Sequence, residues 1–279
     1  MALMAVDREL FLRQGYLILD IIPRQQLAAV RDAFEELAWR QREQEGGWNT
    51  TAQPRFTLDL LGAFDAPTAA ALELAVGGAV RDVSAQLLRC AEPLLANCQM
   101  FVEPQHEPPP PPEPGAMSAE GSAGTDPRNW HRDLRPDHNG PLRLLQEANA
   151  VDGPAYVQWN ICLHDQGDAH LHVLPASHNR LTTADEKKAL ELSPTAPLPG
   201  SICAELAPGT GVVYTTLLHH GEHYTPTQPR RTLHFGFERI PLTSEQETAV
   251  TPPNGWTWRP SVRNQLSHLT QRAVEVSAA

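Results

Sequence analysis

The chain has 279 residues and a mass of 30.7 kDa, enough for one large domain with a full hydrophobic core. Hydrophobic residues make up 41% and charged residues 20%, which excludes a disordered or fibrous chain. The net charge of −11 argues against a nucleic-acid partner, since gripping phosphates demands clustered Lys and Arg.

The N-terminal MALMAVDREL lacks a basic segment followed by an apolar one, so no secretory signal is expected. No run approaches the ~20 uncharged apolar residues of a membrane span. The four cysteines, Cys90, Cys98, Cys162 and Cys203, form no CxxC pair and read as free thiols of a reducing cytoplasm. Two counts stand out, 26 prolines and 12 histidines. Prolines at that density disfavour a helical bundle and favour strands and loops.

In chain order, Asp7 to Gln14 reads as a short helix stopped by Gly15, and Tyr16 to Ile22 as a strand. From Pro23 to about Glu45, Leu27, Val30, Ala33, Phe34 and Leu37 fall at helical spacing. Pro67 to Ala91 is a second helical stretch that Gly77-Gly78 splits. β-like pieces follow at Cys98–Val102, Ala155–Leu163, His170–Leu174, Ser201–Leu206, Gly211–Leu218 and Arg231–Arg239, separated by turn residues. That pattern predicts a sandwich or barrel of antiparallel strands. Arg259 to Val274 reads as a last helix.

Between two of these strands, Glu103 to Arg128 carries five consecutive prolines, Pro108 to Pro112, and then Gly, Ser, Ala and Glu. Such a segment buries too little to fold alone. It is read as a flexible flap inserted into a single domain covering 1–279, because strands of the same character flank it.

Trp130-His131-Arg132-Asp133 follows that flap. On a strand or its edge, His-x-Asp turns both side chains to one face. Two His and one carboxylate facing a metal leave the opposite coordination face open, the arrangement of non-haem Fe(II) oxygenases. Alone the triplet is weak, since these counts supply roughly 1.4 His-x-acid triplets by chance, and His220-Gly221-Glu222 is another. A second segment adds to it. Pro208-Gly209 opens a strand running to His219-His220-Gly221, and Arg231 stands eleven residues beyond His220. A His and an Arg on adjacent antiparallel strands would serve one cavity, the Arg gripping a dicarboxylate whose other end chelates the metal. His219 and Arg230 are also eleven apart, and strand alternation lets only one of each adjacent pair face the metal.

Taken together, these segments resemble the phytanoyl-CoA dioxygenase-like family of Fe(II)/2-oxoglutarate oxygenases. Phe11-Leu12-Arg13-Gln14-Gly15-Tyr16-Leu17-Ile18-Leu19 resembles the family's helix–Gly–strand entry, and Trp130-His131-Arg132-Asp133 its WHxD motif. Asp165 through Leu174-Pro175-Ala176-Ser177-His178 resembles its aspartate-then-PGSH segment, with Ala176 in place of the usual Gly. Pro208-Gly209 through Arg231 resembles its distal-His and 2-oxoglutarate segment. The resemblance spans about residues 8 to 240 in the family's order. It implies a mainly β fold with flanking helices, a double-stranded β-helix (jelly roll, cupin-like) core. It further implies His131, Asp133 and His220 as Fe(II) ligands and Arg231 as the partner of the distal carboxylate of 2-oxoglutarate. His220 is favoured over His219 because the family's distal His precedes Gly. Gln99 and Trp159 fall where the family lines its co-substrate pocket, core packing being the competing role for Trp159. Glu222 stands where the family often has a small hydroxyl residue and would repel the co-substrate unless it points away.

The expected activity is oxidation of a small molecule by O2 and 2-oxoglutarate, with hydroxylation ahead of desaturation or ring formation. Succinate and CO2 are the co-products. Related halogenases carry a small residue at the position of Asp133, and a carboxylate there favours hydroxylation. A metal- or metabolite-binding jelly roll without oxidation is the alternative, and a zinc hydrolase on the same residues ranks lower. No nucleic acid or membrane partner is expected. His164, His170, His172 and His178 cluster in one segment, which strand and turn positions explain without a second metal.

Overall fold

The computed structural model describes residues 5–44, 55–57, 73–74, 78–91, 93–103, 130–133, 153–154, 156–165, 167–193, 197–222 and 230–239. The proline run of the expected flap, the expected helix Arg259–Val274 and Tyr224 lie outside them.

Two helices lead in. Helix α1 (Arg8–Gln14) begins where the Asp7 carboxylate accepts the Leu10 N–H, and it ends on Gly15 at φ 90°. A side chain on Gly15 would meet His178 Nδ1 at 2.6 Å and Leu218 at 2.7 Å, so the position needs glycine for space as well as for conformation. Strand β1 (Tyr16–Asp20) leads to α2 (Arg24–Gln44), and after β2 (Arg55–Thr57) comes α3 (Ala79–Leu88).

Strands then take over: β3 (Leu94–Glu103), β4 (Tyr156–Cys162), β5 (Leu171–Val173), β6 (Ile202–Cys203), β7 (Thr210–Thr215), β8 (His220–Glu222) and β9 (Arg230–Glu238). They form an antiparallel six-stranded sheet in the order β1-β7-β4-β9-β3-β2 and a three-stranded sheet β6-β5-β8. Two antiparallel sheets with a few flanking helices make the expected jelly roll. A 3-10 turn (Ser177–Asn179) and helix α4 (Ala184–Leu192) lie between β5 and β6. Helix α4 is absent from the sequence reading, yet its start is written in a capping box: Thr183 accepts from the Glu186 backbone while the Glu186 carboxylate accepts from the Thr183 N–H.

The large sheet has two distinct faces because side chains alternate along each strand. Val157, Trp159 and Ile161 of β4, Val213 of β7 and Leu233, Phe235 and Phe237 of β9 pack with Phe11, Phe34, Leu37, Val83 and Leu87 of the helices in one buried cluster. Residues of the opposite parity, Cys162, Val212 and Tyr214, join Leu171 and Val173 of β5 in a second cluster between the sheets. Gln158, Asn160, Thr232 and His234 share that inner parity and are buried. Gly209, at φ 85°, opens β7 where a Cβ would lie 2.3 Å from the Ile22 carbonyl oxygen, and it accepts from the N–H groups of Ile21 and Ile22.

Candidate metal centre and anion site

His131 and His220 lie opposite each other and exchange backbone hydrogen bonds, His131 N–H to His220 O at 2.8 Å and His220 N–H to His131 O at 3.0 Å. This isolated rung extends the small sheet beyond β8 and brings the two rings to 4.3 Å between centroids. Two residues on, the Asp133 N–H donates to Thr216 O at 3.0 Å, which returns its carboxylate to the same place. The result is a His-Asp-His group whose ligand atoms lie within 4.8 Å of one another. His220 Nε2 lies 3.4 Å from Asp133 Oδ2, and His131 Nε2 lies 3.6 Å from Asp133 Oδ1. Among the described residues no second group of this kind occurs.

The donor set fits a divalent transition metal. His220 Nδ1 is 2.9 Å from the Leu218 carbonyl oxygen, so the proton sits on Nδ1 and the Nε2 lone pair faces the cluster. Gln158 Nε2 donates to Asp133 Oδ2 at 2.5 Å, holding that carboxylate in place. Burial raises the Asp133 pKa, but His220 first and then His131 more than offset it, keeping the carboxylate ionised well below the usual range. The side chain of His220 is 5% exposed, those of His131 and Asp133 21% and 29%, so the group is rooted in the fold on one side and open on the other.

His219 points away from this group. Its Nε2 lies 3.2 Å from Thr182 Oγ1, and burial with the Arg132 charge pushes its pKa down to about 3, leaving it neutral. Arg132 is buried too, donating to the carbonyls of Leu217 and Arg180. Ser177 Oγ accepts the His219 N–H, and His178 Nε2 meets the Leu12 carbonyl oxygen. The Pro-Ala-Ser-His segment thus ties the strand before the cluster to α1. Ala176 adopts φ 61°, the left-handed conformation that a glycine would take without strain.

Two expected site residues lie on the wrong face. Arg231 shares the outer parity of β9, and its Nε donates to Glu35 Oε1 of α2 at 2.7 Å. Trp159 is fully buried on the outer face of β4, with Nε1 donating to Ser84 Oγ of α3 at 2.9 Å. The inner-face arginine is Arg230, 1% exposed. Its Nε donates to Asp168 Oδ2 at 3.0 Å and to Thr232 Oγ1 at 3.2 Å, and its guanidinium lies 4.7 Å from the Phe101 ring centroid. His220 and Arg230 are ten residues apart, not eleven. The spacing misleads because strand parity, not the length of the β8–β9 connection, decides which side chain faces inward.

Gln99 does lie on the inner face, opposite His234. His234 is in turn opposite Asn160, whose Oδ1 lies 2.7 Å from His234 Nδ1, and it stacks on Phe101 with ring centroids 5.6 Å apart. The sequence reading passed over Arg230, Thr232, His234, Asn160 and Asp168 as site residues. A usable signal was there: in Arg230–Glu238 the polar residues Arg230, Thr232, His234 and Glu238 alternate with Leu233, Phe235 and Phe237. Glu222 pairs through its backbone with Leu171 of β5.

No protein-family model and no curated protein matches the sequence. Solved structures do match. The structure of EctD from S. alaskensis with 2-oxoglutarate and 5-hydroxyectoine is 16% identical with a TM-score of 0.53, covering 84% of this chain and 75% of that one. HygX from Streptomyces hygroscopicus, with nickel and 2-oxoglutarate bound, is 14% identical with a TM-score of 0.55, over 86% of this chain and 90% of that one. SnoK, a non-heme alpha-ketoglutarate-dependent carbocyclase from nogalamycin biosynthesis, is 16% identical with a TM-score of 0.51, over 83% of each chain. This chain has their jelly-roll fold. No helix among the described residues is long and apolar enough to cross a membrane.

Proposed function

We propose that the protein is an Fe(II)/2-oxoglutarate-dependent oxygenase that hydroxylates a small molecule, of the phytanoyl-CoA dioxygenase-like type, folded as a single domain. The observation that carries this reading is the His131-Asp133-His220 group inside a roll whose inner face also carries a buried arginine. The titles of three neighbours agree, since EctD and HygX hold 2-oxoglutarate and SnoK depends on it. The four free thiols suit a reducing cytoplasm.

In this reading His131, Asp133 and His220 hold the metal. Bound there, Fe(II) supplies the O2-activating chemistry that couples decarboxylation of 2-oxoglutarate, to succinate and CO2, with oxidation of the substrate. Gln158 keeps Asp133 aimed, and the Leu218 carbonyl fixes the His220 tautomer. Arg230 and Thr232 take the distal carboxylate of 2-oxoglutarate, the role first expected of Arg231. Between the two ends lies the Gln99–His234–Asn160 row, one row of the sheet inward from Thr232, where co-substrate or substrate rests on polar side chains. A carboxylate at Asp133 fills the place a halide would need and favours hydroxylation.

The test is succinate formation from 2-oxoglutarate by Fe(II)-loaded protein over a panel of small molecules, alongside His131→Ala. Substrate-stimulated succinate that disappears in the variant is expected. Succinate unchanged in His131→Ala would overturn the ligand assignment. Metal bound without oxygen consumption would favour a binding protein, and turnover without O2 or 2-oxoglutarate a hydrolase.

A further inference from the structure

Arg230 does not meet an incoming anion as a bare cation. The Nε–H is shared between Asp168 Oδ2 and Thr232 Oγ1, and the Thr232 hydroxyl donates to that same carboxylate oxygen. The other oxygen, Asp168 Oδ1, accepts both the backbone N–H of His170 and its ring Nδ1–H, each at 2.9 Å. Reciprocal backbone bonds with Leu206, at 2.9 and 2.7 Å, pin Asp168 to the chain beside it. Asp168 is 5% exposed, His170 2% and Arg230 1%. The carboxylate, imidazole and guanidinium therefore form one sealed ionic unit. Because Asp168 takes the Nδ1 proton, the lone pair of His170 is on Nε2, which is buried without a hydrogen-bond partner among the described residues.

Charge balance decides how this unit receives a ligand. With a neutral imidazole, Arg230 and Asp168 already cancel. A second carboxylate docking on Arg230 then leaves one uncompensated negative charge away from water, a costly state. The neighbouring groups offer no relief. Burial pushes the thiols of Cys162 on β4 and Cys203 on β6 up to about 12 and about 11, so both stay neutral. Asp165 and Glu205 are exposed and negative. His164 is pushed down by burial and by Arg231. His172 has the opposite parity on β5 to the buried Leu171 and Val173. His170 is the one group in direct contact with the unit that can add a positive charge.

We propose that His170 takes up one proton when the distal carboxylate of the co-substrate docks on Arg230, with Asp168 as the positioning residue that links the two. This rests on the co-substrate reading above. Its consequence is an affinity for 2-oxoglutarate that falls as pH rises, by up to about tenfold per unit. A keto acid lacking the distal carboxylate has no such dependence.

The test is calorimetric titration of full-length, nickel-loaded, oxygen-free protein in buffers of different ionisation enthalpy, at about pH 7.5, where an ordinary imidazole is mostly neutral. Uptake approaching one proton is expected with 2-oxoglutarate and none with 2-oxobutyrate, which keeps the chelating end. His170→Gln abolishes the uptake and weakens 2-oxoglutarate binding. Asp168→Asn abolishes the uptake without weakening it, because the site then carries a free positive charge. No uptake by the wild-type protein, equal uptake with 2-oxobutyrate, or unchanged uptake in His170→Gln would each overturn the proposal. If the variants fail to fold, the two keto acids on wild-type protein still decide it. Absence of any 2-oxoglutarate binding to the wild-type protein would instead remove the co-substrate reading beneath it.

Discussion

The two faces of the large sheet are made from alternate residues of the same strands and have opposite characters. On β4, Val157, Trp159 and Ile161 join the helix-covered cluster, while Gln158 holds Asp133 and Asn160 meets His234 on the other side. On β9, Leu233, Phe235 and Phe237 pack outward against the helices, while Arg230, Thr232 and His234 point inward. An antiparallel sheet often buries its apolar face and wets the other. Here helices cover the apolar face, and the polar face is enclosed by the second sheet. Polar side chains buried this way are hydrogen-bonded to one another, which makes the inner face a shaped site.

Swapping residues across that divide gives effects of different kinds. The largest concerns stability. Trp159→Ala removes a fully buried indole from the outer face and is expected to cost about 3–5 kcal/mol in urea unfolding, with the KM for 2-oxoglutarate unchanged in folded protein. Next come the paired arginines. Arg230→Lys loses the planar fork and is expected to raise the KM for 2-oxoglutarate about 10–100-fold. Arg231→Lys, whose side chain is 26% exposed against Glu35, changes stability by less than about 0.5 kcal/mol and leaves that KM alone. Equal effects of the two would erase the distinction between the faces. Gln158→Ala is expected to weaken metal binding about tenfold or more, read by competition with a chelator dye, while its melting temperature moves far less than that of Trp159→Ala. The smallest effect lies outside the sheet. Ala176→Gly relieves a left-handed φ of 61° and is expected to raise stability by at most about 1 kcal/mol, with metal binding and turnover unaffected.

Local signals made the lead-in helices legible from the sequence. Asp7 caps α1, Gly15 stops it, and Leu27, Phe34 and Leu37 place the buried stripe of α2. The segments that carry His131, Asp133 and His220 were legible as well, because a His-x-Asp triplet and a Gly-opened strand ending in His-His are visible in one dimension. The choice between Arg230 and Arg231 was not legible from spacing. A one-residue shift inverts a strand, and the residues linking His220 to the arginines do not report which way the next strand faces. The neighbours Leu233, Phe235 and Phe237 held that information, since they share the parity of Arg231 and belong to the core. Asp168 was illegible for another reason: its partners Arg230 and Thr232 are more than sixty residues away, and only the folded roll brings them together.

The backbone rung between His131 and His220 also bears on how the chain tolerates change in length. The two ligand-bearing segments are registered against each other by their own N–H and carbonyl groups, not by the connections that lead to them. Resizing the proline-rich stretch between Glu103 and Trp130 therefore alters mainly loop-closure entropy, roughly 0.6 kcal/mol for each doubling. The spacing of the ligands stays as it is. That stretch can be lengthened, shortened or replaced to suit a different substrate while the centre it leads into keeps its geometry.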